Sequence, residues 1–339
     1  MSILLEAEEF LQQAKLLPII DVRSPAEWES GHIPGAINIP IFTNDERAKV
    51  GTRYKQSGKE QAIEMGLEFV GPKMLQFVKE AKKIAKDKRV LLHCWRGGMR
   101  SKSMAWLFEL AGLETIILKG GYKAYRNYIR EQFNKPANLI VLGGFTGSGK
   151  TDILKEIEKL GQQFLDIESI AHHKGSAFGT IGQIQQPTNE QFENNLAEVW
   201  QKIDFSKPVW IEDESRSLGK VGIPDPLFKQ MRSAKLWRII VPKKLRIERL
   251  VAEYAIVEKA ELLVVVNKIE RKLGGQDAKK CIEAIENSDF HQVADLTLNY
   301  YDKGYAHGNS KRDPESIVDI IIEDDKPVNT AKLLLKKVL

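Results

Sequence analysis

The sequence is poor in cysteine, because its 339 residues include only Cys94 and Cys281. Two cysteines cannot form a disulfide framework, and this scarcity fits a reducing cytosol better than a secreted protein. The sequence also lacks any apolar run near the ~20 residues that a membrane-spanning helix needs. The first ten residues contain three glutamates and no basic segment, which is not the pattern of a signal peptide. These absences predict a cytoplasmic protein with no membrane partner.

An excess of charge of one sign is also absent, since the formal net charge is only +5. Composition alone therefore does not indicate a nucleic-acid-binding protein, although clustered basic residues would still allow a large RNA substrate. The fractions of hydrophobic residues, 42%, and of charged residues, 29%, are ordinary for a globular protein. The length allows two domains with separate cores. A break in the pattern at residues 134–138 predicts the boundary, with domains at residues 1–134 and 135–339.

Short apolar segments alternate with helical patterns in the first half of the chain. Residues 90–92 and 115–118 have the composition of buried strands, and residues 71–86 have the apolar spacing of an amphipathic helix. Residues 4–16 predict a leading helix, and the polar, basic residues 44–62 predict an exposed insertion. This alternation favours an α/β domain built on a parallel sheet.

One cysteine follows directly after a predicted buried strand. Cys94 ends the apolar run that begins at Val90, and a Gly-Gly loop and a helical pattern come after it. Loop N–H groups, a helix N-terminus, Arg96 and Arg100 all favour the thiolate form of Cys94 and its use as a nucleophile. The same N–H groups form a cradle for an anion. The alternative is a small structural cysteine at a strand end, which rarely accompanies two glycines and two arginines.

A second motif, at residues 144–151, follows the strand pattern of residues 139–142. The glycines of this motif let backbone N–H groups surround a diphosphate, Lys150 neutralises it, and the Thr151 hydroxyl is suited to hold Mg²⁺. The strand, the loop and the amphipathic helix after it give the complete context of a P-loop. The predicted diphosphate-binding residues are Gly144, Thr146, Gly147, Ser148, Gly149, Lys150 and Thr151. The fold class is therefore α/β in both domains, with a P-loop NTPase-like second domain whose C-terminal part, from residue 242, is mainly helical.

Acidic residues end the apolar strand pattern of residues 208–214, as expected for a Walker B element. Asp213 or Glu214 is predicted to reach the water shell of a metal or to act as a base. The alternative is an ordinary strand terminus. No metal ligand is predicted beyond Mg²⁺ held through Thr151, because the paired histidines at positions 172 and 173 have no further Cys or His nearby for zinc.

A basic, glycine-punctuated loop at residues 172–179 is predicted to lie over the mouth of the P-loop, and basic residues recur at helical spacing after residue 242. Such residues are usually a solvated face, but here they also suit contact with an RNA backbone or a lid on the diphosphate. The candidates for these RNA or lid contacts are His172, His173, Lys174, Ser176, Phe178, Arg216, Arg246 and Arg249.

The first domain resembles the rhodanese family over residues 4–133. The resemblance is carried by residues 21–23 (DVR), the turn at residues 31–36, the Cys94 loop and residues 119–121 (KGG). It implies a persulfide-type intermediate on the loop cysteine, with Asp21, Arg23 and His32 supporting the end of the sheet. Five residues separate Cys94 from Arg100, one more than in common rhodanese loops. This spacing also matches the phosphatase loop pattern and favours a phosphorylated chalcogen donor.

Taken together, the two motifs resemble the tRNA 2-selenouridine synthase family over nearly the whole chain. The resemblance rests on residues 94–101, 143–151, 172–179 and 211–216, and position 145 departs from it by carrying phenylalanine. It implies an enzyme that geranylates wobble 2-thiouridine with geranyl diphosphate and then exchanges the S-geranyl group for selenium from selenophosphate. Cys94 would carry the selenium as S-selanylcysteine, with Arg96 and Arg100 holding the phosphate. No tightly bound cofactor is implied beyond Mg²⁺, and the implied partners are the anticodon region of tRNA and a selenophosphate synthetase.

Three other functions remain open on the sequence. In the first, the P-loop hydrolyses ATP to drive RNA sulfur transfer or a kinase-like reaction. In the second, the protein is a chalcogen carrier that passes sulfur to another protein. The third is a phosphatase that uses the Cys94-x5-Arg100 loop on phosphomonoesters.

Overall fold

The computed structural model describes residues 2–176, 178–310, 312–324 and 326–338. For Asn309, within the second range, it describes the backbone but not the side chain. Residues 1 and 339, which end the predicted domains, and Ala177 of the predicted loop lie outside the described residues. The chain divides into two compact units, one of residues 2–132 with 193–198 and one of residues 133–192 with 199–338. Within the described residues, no helix combines the length and the apolar character needed to span a bilayer.

Unit 1 contains a five-stranded parallel sheet with strand order β1-β5-β4-β2-β3. Its elements are β1 (Ile3–Leu5), α1 (Ala7–Ala14), β2 (Ile19–Asp21), α2 (Pro25–Ser30), β3 (Ile37–Asn38), α3 (Asn44–Ser57), α4 (Lys59–Val70), α5 (Met74–Ile84), β4 (Arg89–His93), α6 (Met99–Leu110), β5 (Glu114–Leu118) and α7 (Gly121–Gln132). The central strand β4 is almost wholly buried because its apolar residues face helices on both sides of the sheet.

The strand register of unit 1 brings the carboxyl ends of β2 and β4 together. Asp21 pairs with His93 across these strands, so Cys94 begins the loop at that edge of the sheet. The short helix α2 follows β2, and Ser24 and Glu27 form the capping box that begins it. The edge therefore carries both the Cys94 loop and the first turn of α2.

One local prediction for unit 1 differs from the structure, and a second, the exposed position of residues 44–62, agrees with it. The predicted leading helix at residues 4–16 is shorter, because Ile3–Leu5 instead pairs with β5 as the edge strand β1. Residues 44–62 form α3 and the start of α4, and α3 buries none of its residues. Its surface position explains the polar composition, while the Thr43 cap and internal hydrogen bonds provide the helical structure.

Unit 2 contains a second parallel sheet with strand order β12-β11-β6-β8-β7. Its elements are β6 (Leu139–Gly144), α8 (Lys150–Lys159), β7 (Gln163–Leu165), α9 (Ile167–Ala171), α10 (Asn189–Trp200, of which residues 193–198 group with unit 1), β8 (Val209–Glu212), β9 (Ser217–Leu218), β10 (Val221–Gly222), α11 (Asp225–Ser233), β11 (Leu236–Ile240), α12 (Lys243–Tyr254), α13 (Lys259–Leu273), α14 (Gly275–Glu286), α15 (Phe290–Asn309), β12 (Ile317–Ile321) and α16 (Pro327–Val338).

The P-loop strand β6 occupies the middle of this sheet, between β11 and β8. Helix α8 packs its apolar side against the sheet and α16, and a separate apolar cluster joins α12, α13, α14 and α15. The predicted α/β class, with a parallel sheet in each unit and a helical C-terminal part, is confirmed. The largely helical reading of residues 242–339 missed β12, which extends the sheet at its edge.

Candidate functional site

Cys94 lies at the end of β4 and its side chain is buried. Its Sγ atom is 3.3 Å from the Oγ atom of Ser101, which itself donates to the carbonyl of Gly98 at 3.1 Å. The hydroxyl of Ser101 thus lies beside the sulfur and at the first turn of α6. This position gives the thiol a hydrogen-bonding neighbour and a helix N-terminus, which are features of reactive cysteines.

Two glycines let the Cys94 loop fold tightly against the start of α7. Gly97 and Gly121 have φ angles of +61° and +62°. A Cβ atom on Gly121 would lie within 3.0 Å of the Cys94 carbonyl oxygen and the Gly97 nitrogen. The N–H of Tyr122 donates to that same Cys94 carbonyl at 2.8 Å. A side chain at either glycine would therefore displace the backbone that surrounds the sulfur.

The two predicted arginines of this loop have different surroundings. Arg96 is exposed, whereas Arg100 is largely buried and forms an ion pair with Glu27 of α2. The Nη1 and Nη2 atoms of Arg100 donate to the two Glu27 carboxylate oxygens at 2.6 and 3.2 Å. Glu27 was not among the site residues predicted from the sequence, because its partner Arg100 is 73 residues away in the chain.

Behind the loop, Asp21 and Arg23 form a fully buried ion pair. Burial opposes ionisation of Asp21, but the charge of Arg23 and its hydrogen bonds hold the pKa of Asp21 below the usual value. Burial also lowers the pKa of His93, which favours the neutral ring. The Arg23 guanidinium lies 3.9 Å from the centre of the Tyr122 ring, and His32 stacks on Trp28. These contacts are those of residues that support the loop.

The P-loop connects β6 to α8 and places the predicted phosphate-binding residues around one cavity. Gly149 has a φ angle of +73°, which lets the chain turn into α8. The Nζ atom of Lys150 donates to the Gly144 carbonyl at 3.1 Å and lies 3.9 Å from Glu212. Burial opposes protonation of Lys150, but nearby carboxylates, chiefly Glu212, raise its pKa. The residues that line the cavity include Gly144, Thr146, Gly147, Ser148, Gly149, Lys150 and Thr151.

A carboxylate cluster of Glu168, Glu212 and Glu214 lies beside the P-loop. One oxygen of each residue lies within 4.8 Å of the others, and the Thr151 hydroxyl donates to Glu212 at 2.7 Å. Burial and the neighbouring carboxylates raise the pKa of Glu168 to about 8 and raise that of Glu214 well above its usual value. Hard oxygen donors of this kind suit Mg²⁺, whose charge would relieve their repulsion. Glu168 and Glu212 were missed as site candidates in the sequence.

Asp213, the other predicted Walker B residue, faces different partners. Its carboxylate accepts from Arg312 at 2.7 Å and lies 3.6 Å from Arg232. Its second oxygen lies 3.4 Å from the Tyr305 hydroxyl, which accepts from the Gly144 N–H at 2.7 Å. Asp213 thus supports the start of the P-loop through Tyr305, while Glu214 belongs to the carboxylate cluster.

The segment at residues 172–179 contributes to the same cavity through some of its predicted residues. Lys174 and Ser176 line the cavity, and Gly175 has a φ angle of +63°. A Cβ atom on Gly175 would lie 2.5 Å from a Glu168 oxygen, so this backbone passes directly against the carboxylate cluster. Phe178 lines the cavity too, but it is buried and its ring lies 5.1 Å from that of Tyr254.

The two predicted histidines do not lie among the lining residues. Nδ1 of His172 lies 3.0 Å from the Gln185 carbonyl. His173 is buried, and that burial lowers its pKa, which favours the neutral ring.

The predicted basic contacts also separate into different environments. Arg246 donates to the Thr146 carbonyl at 3.2 Å and forms a two-bond ion pair with Asp302, which ties α12 to the P-loop and to α15. Arg249 lines the cavity and lies 3.4 Å from Asp152. Arg216 is exposed, pairs with Asp225 and is not among the cavity-lining residues.

The P-loop cavity has a volume of about 1170 Å³ and a mixed wall. Its polar wall includes the P-loop and the carboxylate cluster. Its apolar wall includes Ile181, Leu250, Tyr254, Ile256 and Val257. A site with this lining can hold a diphosphate on backbone N–H groups and Lys150, and can shelter a hydrocarbon group attached to it.

Comparison with known proteins gives matches over both units. The family model of the tRNA 2-selenouridine synthase AAA domain matches residues 137–326, and the rhodanese-like domain model matches residues 5–128. The tRNA 2-selenouridine synthase of Nitrosomonas europaea is 34% identical over 87% of this chain and 90% of its own length. That of Bdellovibrio bacteriovorus has the same identity and coverage. That of Sulfurovum sp. is 36% identical over 84% of this chain and 83% of its own length.

Proposed function

The chain belongs to the tRNA 2-selenouridine synthase family, and from this premise we propose that it replaces the sulfur of wobble 2-thiouridine in tRNA with selenium. We propose that it does so in two steps, an S-geranylation in the P-loop cavity and a selenation at the Cys94 loop. The proposal assigns one phosphorylated small-molecule donor to each unit, geranyl diphosphate to unit 2 and selenophosphate to unit 1.

The observation that carries the first step is the mixed wall of the P-loop cavity. A nucleotide-hydrolysing site needs the phosphate-binding half of this wall, but the isoprenoid tail of geranyl diphosphate also needs an apolar surface. Tyr254, Ile256 and Val257 supply such a surface in the cavity that Lys150 lines. Burial of a ten-carbon chain against it contributes on the order of several kcal/mol, at ~0.8 kcal/mol per CH₂ group.

In the first step, the thiocarbonyl sulfur bonds to C1 of the geranyl group, the C–O bond to diphosphate breaks, and the uridine N3 proton is released. Lys150 and the loop N–H groups stabilise the charge that develops on the departing diphosphate. Thr151 and Glu212, which are hydrogen-bonded to each other, would hold Mg²⁺, and the ion would supply further charge neutralisation. The product carries an electrophilic C2 and a thiolate leaving group.

In the second step, Cys94 enters as a mixed disulfide with a small-molecule thiol. The selenium of selenophosphate attacks the Cys94 sulfur, the small thiolate departs, and water takes the phosphoryl group from selenium as phosphate, which leaves S-selanylcysteine. The terminal selenium attacks C2, and geranylthiolate departs. The small thiolate then attacks the Cys94 sulfur and cleaves the S–Se bond, which releases 2-selenouridine and restores the mixed disulfide. Arg100 and the loop N–H groups neutralise the phosphate group while the Se–P bond breaks.

The two steps are separated by giving thiolated tRNA each donor alone and both together, followed by mass spectrometry of its nucleosides. Wild-type protein is expected to form S-geranyl-2-thiouridine with geranyl diphosphate alone, and 2-selenouridine with both donors and a buffer that contains a small-molecule thiol and its disulfide. Cys94→Ser should stop at the geranylated nucleoside, and Lys150→Ala should selenate only tRNA that was geranylated beforehand. Cys281→Ser is the matched control, because Cys281 is buried in the helical cluster of unit 2.

Three results would contradict the proposal. Formation of 2-selenouridine with ATP and without the prenyl donor would favour the nucleotide-driven alternative. Loss of both steps in Cys94→Ser would contradict separate sites for the two donors. Failure of the purified protein to convert tRNA with both donors present would favour a carrier that acts on another protein.

A further inference from the structure

The guanidinium of Arg100 is held by a carboxylate that lies outside the Cys94 loop. Glu27, in the first turn of α2, accepts from Nη1 and Nη2 of Arg100 with both of its oxygens. The two side chains are 18% and 23% exposed, so the pair is only partly screened by solvent. A two-bond pair of this kind fixes the plane of the guanidinium as well as its position.

Glu27 is itself held in place before it contacts Arg100. Its Oε2 atom accepts from the Ser24 N–H at 3.1 Å as part of the capping box of α2. Arg47 of α3 lies 3.7 Å from the same oxygen. Burial opposes ionisation, but the hydrogen bonds from Arg100 lower the pKa of Glu27, which keeps the carboxylate charged near neutral pH. The carboxylate is therefore a fixed anchor.

Among the residues that the structure describes, the pair leaves most of the hydrogen-bonding capacity of Arg100 unused. A guanidinium has five N–H donors, and two of those on Arg100 go to Glu27. An unrestrained arginine loses rotamer entropy when it binds an anion, whereas a guanidinium that is already fixed loses little. We propose that Glu27 is a positioning residue that presents the remaining N–H groups of Arg100 to a phosphate-type anion in the Cys94 loop. This rests on the proposed role of that loop in holding selenophosphate.

A purely structural role for Glu27 can be separated from this one, because unit 1 contains a matched glutamate. Glu46 also completes a capping box, in which it accepts from the Thr43 N–H at 2.8 Å. It also pairs with a cation, Lys73, at 2.5 Å. Glu46 thus combines a helix cap and an ion pair as Glu27 does, but its partner is a residue outside the Cys94 loop.

The test measures how well inorganic phosphate protects Cys94 of the full chain from alkylation by iodoacetamide. Peptide mass spectrometry quantifies the labelling of Cys94. In Glu27→Gln, the phosphate concentration that halves the alkylation rate should rise on the order of tenfold. Glu27→Asp, which keeps the charge but shortens the reach, should show a similar rise. Glu46→Gln should protect like wild type. An unchanged value in both Glu27 variants, or an equal rise in Glu46→Gln, would overturn the inference.

A kinetic measurement gives an independent readout. With tRNA geranylated beforehand, Glu27→Gln should raise KM for selenophosphate about tenfold with a smaller change in kcat, and geranylation should be unaffected. A fall in kcat with an unchanged KM would contradict a role in holding the anion. Phosphate protection does not require selenium transfer, so its outcome is distinguishable from failure of the proposed function itself.

Discussion

Gly121 provides a direct test of whether the backbone around Cys94 determines the rate of selenation. Gly121 begins α7 with a φ angle of +62°, and a Cβ atom there would crowd the backbone of the Cys94 loop. The perturbation is Gly121→Ala. Gly112 serves as the matched control, because its φ angle is +86° and a Cβ atom there would have no neighbour within 4 Å in the described part of the chain. Both substitutions strain the backbone, but only the first presses on the loop.

The expected magnitudes follow from that difference. An alanine with left-handed φ costs ~1–2 kcal/mol of unfolding free energy at either position. Crowding adds ~1–3 kcal/mol at Gly121 alone. The backbone atoms of the Cys94 loop that lie within 3.0 Å of the new Cβ atom must move to an ordinary van der Waals separation, which displaces the loop by up to ~1 Å. A displacement of ~1 Å near reacting atoms lowers the rate on the order of 100-fold.

The assay combines urea denaturation with the rate of selenation of tRNA that was geranylated beforehand. Gly121→Ala is expected to lose on the order of 100-fold in selenation, to retain geranylation, and to be less stable than Gly112→Ala. Gly112→Ala is expected to selenate at the wild-type rate. The reasoning is refuted if Gly121→Ala selenates normally, or if Gly112→Ala slows selenation to the same extent.

Two further predictions concern unit 2. The pKa of Glu168 is about 8 in the folded protein, against an ordinary value of 4.5. Between these pH values the folded state binds more protons than the unfolded state. Glu168 therefore lowers the free energy of unfolding as pH rises from about 4.5 to about 8. Thermal denaturation across that range should show a shallower decline in Glu168→Gln, and an identical decline would contradict the assigned pKa. Tyr305→Phe removes the acceptor of the Gly144 N–H and should raise KM for geranyl diphosphate on the order of tenfold. Tyr54→Phe, at an exposed tyrosine, should leave that KM unchanged, and an equal rise in both variants would show that the hydroxyl of Tyr305 is not responsible.

The parts of the fold and site that depend on neighbouring residues were predictable from the sequence. Glycine spacing determines the backbone of the P-loop, and the predicted phosphate-binding residues do line one cavity. The capping box of Ser24 and Glu27 is an example of such a local feature, because its four consecutive residues contain all of the information needed. The parallel sheet of each unit follows from the alternation of strand and helix patterns.

Features that depend on strand phase were harder to predict. Residues 212–214 are three acids in succession, and β8 is buried on both faces, so the usual alternation of apolar and polar residues gives no phase. The sequence therefore favoured Asp213 and Glu214, whereas the structure pairs Thr151 with Glu212. The partner that draws Asp213 away, Arg312, lies 99 residues further along the chain.

Long-range pairing also explains what was missed in unit 1. Glu27 and Arg100 are separated by 73 residues, and their contact depends on how α2 and α6 meet at one edge of the sheet. The edge strand β1 was missed because three apolar residues beside a helical pattern are equally consistent with the start of that helix. Tertiary pairing with β5 decides between them.

The cover of α8 by α16 has a consequence for biosynthesis. Leu154 and Ile157 of the P-loop helix share their core with Ala331 and Leu334, which the ribosome adds much later. Part of the apolar surface of α8 is therefore exposed in a nascent chain until α16 emerges from the ribosome. Chaperones bind exposed apolar surface of this kind during that interval. Premature termination before residue 327 would make the exposure permanent and direct the product to proteolysis.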